Sequence, residues 1–528
     1  MLQPLDRRWG VPGDGTRVGD TVVQDGRPGT GWRGVRAGLA VVAAGAAAGL
    51  AVEFHILGWT SIPGGSCGGR YRPCPDGTTP TLILAFALTF VGWIALLLTI
   101  GKFTDRRPGK ALPAVLAVAG VLLALWPGRQ AYLWMRGPVL GLAWQAGPDR
   151  PSSVRAEGVW TVGAHGSTVV RVRGDALVAY DARDGDRRWT LRAPVRESVC
   201  GMSEGVADGV GLVAFARYEK PCDTVWGVDT RTGRKLWERT YPGVAGFTSG
   251  SDGLLAADGD TALALTDTGV RAYGLADGRP RWTADLRGKR AAGACAPNVV
   301  SAAGGTARVV VTCQAGEKGS GRVVTLDTAT GERRGSRALP VESPVDTAMV
   351  VAAEPFTLLL EERDERGVAA VLAYPGDGDD GDPVRIPLSA DDEDLVPRQT
   401  SGEGFTARPA LRATVGGGTL VVATAEPGGY AADHVSAYSL RDGRRLWRAG
   451  VDGVAGLVSS GRDRVAVLGE RGRLWTFDTA DGDRIGEADG VMVGTNRLTE
   501  RTQLLRTHDT WIVVNGQGTK EPPLYGLR

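Results

Sequence analysis

Residues 225–237 read Val225-Trp-Gly-Val-Asp229-Thr-Arg-Thr232-Gly233-Arg-Lys-Leu-Trp237. An apolar run leads into a short turn ending in glycine, and tryptophan follows four residues later. Asp hydrogen-bonds its own backbone two residues on, and Gly takes the positive φ that closes a short hairpin. The strand then restarts, and Trp supplies a large apolar face for packing between neighbouring sheets.

The same pattern recurs in LVAYDARDGDRRW ending at Trp189, VRAYGLADGRPRW at Trp282 and VSAYSLRDGRRLW at Trp447. VVTLDTATGERRG and LWTFDTADGDRIG keep the turn but put Gly335 and Gly486 in place of Trp. A more degenerate unit runs from Val371 to Leu388. Trp equivalents lie about 45–60 residues apart, with one shorter step, which marks a propeller or another stacked array. Each unit holds enough chain for four short strands.

The ends of this region sharpen the count. Leu524-Tyr525-Gly526-Leu527 aligns with the start of a repeat that has no turn or Trp strand after it. Leu142-Ala143-Trp144 reads as a Trp strand with no turn before it. Together they would complete one blade, giving eight; seven follows if the Val371 unit is an insertion. The expected fold is an all-β propeller of four-stranded antiparallel sheets over 138–528, with Trp144, Trp189, Trp237, Trp282 and Trp447 docking neighbouring blades.

The repeat resembles that of pyrroloquinoline-quinone-type (quinoprotein) propellers, approximately Ala-x-Asp-x-x-Thr-Gly-x-x-x-Trp. Asp229 to Gly233 with Trp237 matches it most closely, as does Asp327 to Gly331 without the Trp. The resemblance covers almost three quarters of the chain, and in that family the tryptophans lock adjacent blades. It also implies a dehydrogenase alternative, with the quinone (PQQ) under an adjacent-cysteine disulfide and a calcium held by Glu and Asn beside a catalytic Asp. No two cysteines are adjacent here and no residue matches those ligands, so no catalytic, cofactor-binding or metal residue is assigned.

Composition narrows the classes further. A net charge of +2 over 528 residues argues against nucleic-acid binding, which needs a concentrated basic face. The 78 glycines follow no Gly-X-Y triplet, which excludes collagen. Only seven of the 61 basic residues are lysine, the bias of a GC-rich, actinobacterial-looking genome.

Three apolar stretches precede the repeats, and spanning helices are expected at about 36–58, 80–100 and 111–127 within 34–128, behind a flexible tail, 1–33. The first run starts too late for a cleaved signal peptide. Lys102, Arg106, Arg107 and Lys110 place the linker after the second helix in the cytoplasm by the positive-inside rule. The N-terminus is then cytoplasmic too, and the propeller is extracytoplasmic on a multi-pass plasma-membrane protein. The cysteines agree. Cys67, Cys74, Cys200, Cys222, Cys295 and Cys313 all fall in segments assigned to the outside, in three close pairs. Cys200 and Cys222 bracket the Asp208-Gly209 turn and Cys295 and Cys313 the Gly304-Gly305 turn, so disulfides across hairpins are expected, with buried free thiols as the alternative.

Other polar groups read as structural. His55, His165, His434 and His508 lack ligand spacing, and the acidic runs 375–383 and 391–394 read as solvated surface loops. Glu53 and His55 are assigned to the outer membrane interface. No hydrolase elbow, Walker loop or kinase signature is present. The expected function is therefore a non-catalytic binding, scaffold or sensor platform for a protein, peptide or cell-envelope partner. An enzyme would show acidic and amide side chains converging on the propeller axis, a scaffold would show an exposed apolar or aromatic rim patch, and a purely structural anchor would show neither.

Overall fold

The structure, a computed structural model, describes residues 30–60, 74, 77–103, 111–137, 140–147, 158–163, 166–217, 220–243, 253–287, 294–374, 382–397, 412–429, 431–451, 453–461, 463–470, 472–485, 490–491, 502–507, 510–515 and 522–528. The tail expected at 1–33 lies outside them up to residue 29. The chain divides into a helical unit and a larger unit that contains every strand.

Helices α1 (Thr30–Thr60), α2 (Thr78–Phe103) and α3 (Ala111–Arg136) form at the three apolar stretches. Two of them, not three, carry an apolar window long enough to cross a membrane among the described residues: Gly38–Thr60 and Leu112–Arg136. In α2 the corresponding stretch among the described residues is Thr78–Ile94. Leu39 and Val52 of α1 and Leu123 and Trp126 of α3 stand exposed. α1 and α3 meet through small residues. A Cβ added at Gly45 would lie 2.2 Å from the Ala117 carbonyl oxygen, and one at Gly120 would lie 2.2 Å from that of Val42, so only glycine lets these backbones approach.

α3 runs nine residues past the end expected at 127. Pro127 lies inside it, where the missing N–H costs one hydrogen bond without ending the helix. The helix stops at Gly137, whose φ is 76° and whose N–H donates to the Leu133 carbonyl at 2.9 Å, a left-handed cap.

From Leu142 onward the described strands make eight antiparallel sheets, the blades of a propeller. Blade 1 comprises Gly158–Val162, Thr168–Val172, Ala176–Asp181 and Arg187–Arg192. Blades 2, 3 and 4 span 197–240, 255–285 and 294–338; blades 5, 6 and 7 span 345–387, 394–450 and 454–491. Blade 8 joins both ends of the region: Thr502–Thr507, Thr510–Asn515 and Leu524–Leu527 are completed by Leu142–Gln145, with Trp144 opposite Gly526. The eighth blade anticipated from the two terminal fragments is thus present. The degenerate Val371 unit is not an insertion, because Ala369–Tyr374 pairs with Val384–Pro387 as the outer half of blade 5.

The core lies between blades. Middle strands are buried on both faces, so they read as unbroken Val, Ala and Leu runs; Thr168–Val172 is buried at every position. Outer strands such as Arg187–Arg192 alternate between exposed and half-buried. Val170 and Leu177 of blade 1 pack with Val213 and Phe215 of blade 2 in one such layer. Blade 6 departs from the pattern with five strands. Asp394–Leu395 and Ala413–Gly416 both pair with Thr419–Ala425, so its innermost position is split between two short segments.

Two disulfides staple single blades: Cys295–Cys313 crosses a hairpin as expected, whereas Cys222 lies in the loop before Thr224–Asp229 and ties that loop to the inner strand carrying Cys200. Cys200 and Cys222 have Cα atoms 6.0 Å apart, and Cys295 and Cys313 face each other in register on adjacent strands. Cys74 is also disulfide-bonded, while Cys67 lies outside the described residues.

Candidate functional site

Each repeat ends on a docking element. The indole N–H of Trp189 donates to the Thr230 carbonyl of blade 2 at 3.2 Å, and that of Trp237 to Leu275 of blade 3 at 2.7 Å. Trp282 reaches Thr328 of blade 4, and Trp447 reaches Thr479 of blade 7, both at 3.0 Å. Each ring lies on the turn glycine of the next blade. At Gly278, where φ is 65°, an added Cβ would stand 2.6 Å from the Trp237 ring, so no larger residue fits without displacing it. Trp144 of blade 8 seats on Gly185 of blade 1 in the same way, where a Cβ would stand 2.4 Å away. These contacts order the inner strands around an axis.

An axial cavity of about 490 Å³ opens among them, walled by residues of blades 1, 2, 5, 6, 7 and 8. Its side chains are mostly short, such as Val159, Val351, Ala352, Ala413 and Val458. Thr161, Glu204, Glu354, Thr414 and Gln503 supply the polar ones. Ser301 of blade 4 donates to Glu204 Oε2 at 3.4 Å. None of these polar residues stands out in the sequence: Thr161, Thr414 and Gln503 sit in inner strands and Glu204 and Glu354 just after them, away from the recurring turn.

The run 391–394 was expected to be solvated, but Glu393 is fully buried. Its carboxylate accepts from Ser436 Oγ at 2.6 Å, from the Tyr438 hydroxyl and from Arg445 Nη1 at 2.9 Å, and it pairs with Arg448 at 3.4 Å. Burial by itself raises its pKa, yet the bonds from Ser436, Tyr438 and Arg445 together hold the carboxyl below the usual range. Tyr438 is pushed up by the same burial and by the carboxylate it faces. Its neighbour Asp392 pairs with Arg445 at 2.7 Å. The partners lie more than forty residues downstream, so local composition gave a hydrophilic reading where folding supplies a buried ion pair. Residues 375–381 of the other acidic run lie outside the described residues.

His434 contacts Asp433 at 2.7 Å, and His55 contacts Thr89 of α2 at 3.1 Å with its ring edge-on to Phe86. His165 and His508 lie outside the described residues. No group of three or more His, Cys, Asp or Glu side chains converges among the described residues. The axial lining contains neither Asp nor Asn, and the two resolved disulfides staple single blades. Exposed large apolar side chains in the described propeller are Leu142 and Val195, too few for a rim patch.

The sequence profile of the outer membrane protein assembly factor BamB family matches residues 141–371 and 431–489, more than half of the chain. No curated protein matches. Among solved structures, BamB from Moraxella catarrhalis is similar at 14% identity and TM-score 0.41, covering 72% of this chain and 98% of its own. Saccharomyces cerevisiae Sqt1 is similar at 12% identity and TM-score 0.43, covering 74% and 98%. The quinohemoprotein alcohol dehydrogenase from Comamonas testosteroni gives 12% identity and TM-score 0.39, covering 74% and 76%. Likenesses at this level concern the fold alone.

Proposed function

The chain belongs to the outer membrane protein assembly factor BamB family, and from that premise we propose that it is a membrane-anchored, non-catalytic platform for a protein or cell-envelope partner. The propeller lies on the extracytoplasmic side, anchored in the plasma membrane by apolar helices that include α1 and α3, and the N-terminus is cytoplasmic. One observation carries this reading: apolar helices precede a propeller whose cysteines are oxidised within blades 2 and 4. Disulfides of this kind persist in oxidising compartments. The basic residues Lys102, Arg106, Arg107 and Lys110 point the same way through the positive-inside rule. An assembly role, which the family's name gives its namesake, comes to this chain only as the general capacity to hold another protein. No cofactor is needed for that role.

Two measurements test the proposal. Protease added outside intact spheroplasts should digest the propeller and spare the tail; protection of the propeller would reverse the topology. Photo-crosslinkers placed on loops between blades should capture the same protein partner from several positions and lose it when the propeller is removed. Spectral change and alcohol or sugar turnover on adding PQQ and calcium would replace this reading with the dehydrogenase.

A further inference from the structure

We propose that the Cys295–Cys313 disulfide is a reversible thiolation site, opened by an anionic low-molecular-weight thiol that enters a cavity between blades 3 and 4. The two described disulfides differ in their surroundings. Cys200 and Cys222 are 5% and 4% exposed and belong to a hydrophobic core. Cys295 and Cys313 are each half-buried, and both line a cavity of about 800 Å³. That volume falls within the range of small-ligand sites, roughly 300–1,000 Å³. Its wall runs from Ala284 to Arg287, where the outer strand of blade 3 ends, and continues over the strands of blade 4. Thiol–disulfide exchange depends on access to a sulfur, so the first bond is shielded and the second is open to a small reagent.

Charge selects among thiols. The ionisable side chains of the wall are Asp285, Arg287, Lys318, Arg322 and Arg333. Asp285 pairs with Arg287 at 2.9 Å, and Arg322 donates to the Leu286 carbonyl while keeping its charge. Glu317 and Glu332, the chain neighbours of Lys318 and Arg333, are not among the lining residues. Lys318, Arg322 and Arg333 therefore leave the wall net positive, which draws in an anionic thiol and repels a cationic one. This attraction needs no direct contact, since exposed charges act over about 8 Å at physiological ionic strength.

The backbone tolerates the open bond. Cys295 and Cys313 face each other in a ladder that extends to Ala303 and Thr306, and Lys318–Asp327 pairs with the other edge of the Cys313 strand. Those pairings do not depend on the sulfurs. In the exchange, the reagent thiolate attacks one cysteine Sγ; a bond forms between the two sulfurs and the Cys295–Cys313 bond breaks. The electron pair leaves on the other cysteine, which takes up a proton equal to the one the reagent gave to solvent. One disulfide and one thiol thus become one mixed disulfide and one thiol, and the reverse attack restores the bond.

The test exposes the full oxidised chain in detergent to mercaptoethanesulfonate or to cysteamine at equal thiolate concentration, with acid quenching, alkylation and peptide mass spectrometry. Rates are divided by those on an uncharged model disulfide. Cys295–Cys313 should open about tenfold faster than Cys200–Cys222, read as reagent adduct or alkylated cysteine. The sulfonate should outpace the ammonium reagent there, and Lys318→Gln combined with Arg333→Gln should remove most of that preference. Opening of Cys200–Cys222 first, or of both at one rate, overturns the proposal, as does cysteamine matching the sulfonate in the parent. The thiolated chain should keep the parent's circular dichroism, and loss of the β spectrum would make the bond purely structural and overturn it too. None of these readouts involves a protein partner, so this site and the partner platform fail separately.

Discussion

The interfaces that join blades 1, 2, 3 and 4 differ in kind from those that join blades 4, 5 and 6. In the first arc every step seats a tryptophan of one blade on a glycine of the next: Trp189 on Gly233, Trp237 on Gly278, Trp282 on Gly331. In the second arc no outer strand brings a tryptophan. Gly335 occupies that register in blade 4, opposite Thr325. Other apolar side chains fill those gaps, Val310 against Phe356 and Leu358 between blades 4 and 5 and Leu359 against Leu420 between blades 5 and 6, and cations lie over aromatic rings beside them. The Arg337 guanidinium sits 5.7 Å over the Tyr374 ring, and Arg308 sits 5.5 Å over Phe356, both between blades 4 and 5. Inside blade 6, and not between blades, buried Glu393 ties the inner edge to Arg445 and Arg448 of the outer strand. The ring thus docks through tryptophan in one arc and through other apolar side chains in the next, where a polar tie also braces one blade from within. An apolar contact is insensitive to pH and salt, whereas a buried ion pair is secure only while both partners are present and charged.

The largest effects come from breaking each chemistry at its centre. Trp237→Ala removes a buried ring and leaves the Leu275 carbonyl without its donor; it should cost about 4 kcal/mol, seen as a lower midpoint in pulse proteolysis of the full chain in detergent. Glu393→Ala leaves the buried Ser436 and Tyr438 hydroxyls without their acceptor, while Arg445 keeps Asp392 and Arg448 keeps Glu426, and should cost about 2 kcal/mol. Glu393→Leu, which fills the volume but accepts no hydrogen bond, should recover none of this while the two hydroxyls remain. If both single variants unfold with the same pH dependence, the contrast between the arcs is wrong.

The first arc is the one the sequence displays openly. A turn ending in glycine with Trp four residues later is a local signal, repeated, and each copy reports the same hairpin and the same docking residue. Closure across the termini was readable too, because the fragments at Leu142 and Leu524 are halves of one repeat. Glu393 was not readable. Its bonding groups come from Ser436, Tyr438 and Arg445, and nothing around 391–394 distinguishes a buried carboxylate from three solvated neighbours. The axial carboxylates were hidden for a similar reason: Glu204 and Glu354 line one cavity only after the ring closes. The apolar run marks α3 only to 127, whereas the helix continues through Pro127 and the less apolar residues after it to its cap at Gly137.

Further changes sharpen the contrast. Replacing Cys200 and Cys222 together by serine should cost about 2–3 kcal/mol by freeing the segment between them in the unfolded chain. Reductant should then lower the stability of the variant by less than that of the parent, in which blade 2 is also unstapled. Gly278→Ala should cost about 2 kcal/mol, from positive φ combined with a Cβ pressed on the Trp237 ring. In Trp237→Ala the same change should cost less, because the ring it strikes is gone; additive costs would remove Gly278 from the docking contact.

The smallest effect separates the arcs by acid. Glu362, on the second strand of blade 5, accepts the Glu342 N–H at 2.8 Å, the Ser343 hydroxyl at 3.0 Å and the N–H groups of Ser343 and Val368. Burial works to raise its pKa, but these donors together hold it below the model-peptide value of 4.5. A carboxyl whose folded pKa is depressed adds stability that is fully present above the unfolded value. That stability is lost as pH falls through the folded value. The contribution should therefore persist from neutral pH to about 4.5 and fade below it. Glu362→Gln should lose about 1 kcal/mol at pH 7, since one charge-assisted set of bonds is weakened, and should show a flatter decline below pH 4.5 than the parent. Trp237→Ala touches no carboxylate and should keep the parent's acid slope unchanged. Pulse-proteolysis midpoints at pH 7, 5 and 3.5 for the three proteins measure this, and a steeper acid slope in Trp237→Ala would tie the acid response to the tryptophan arc.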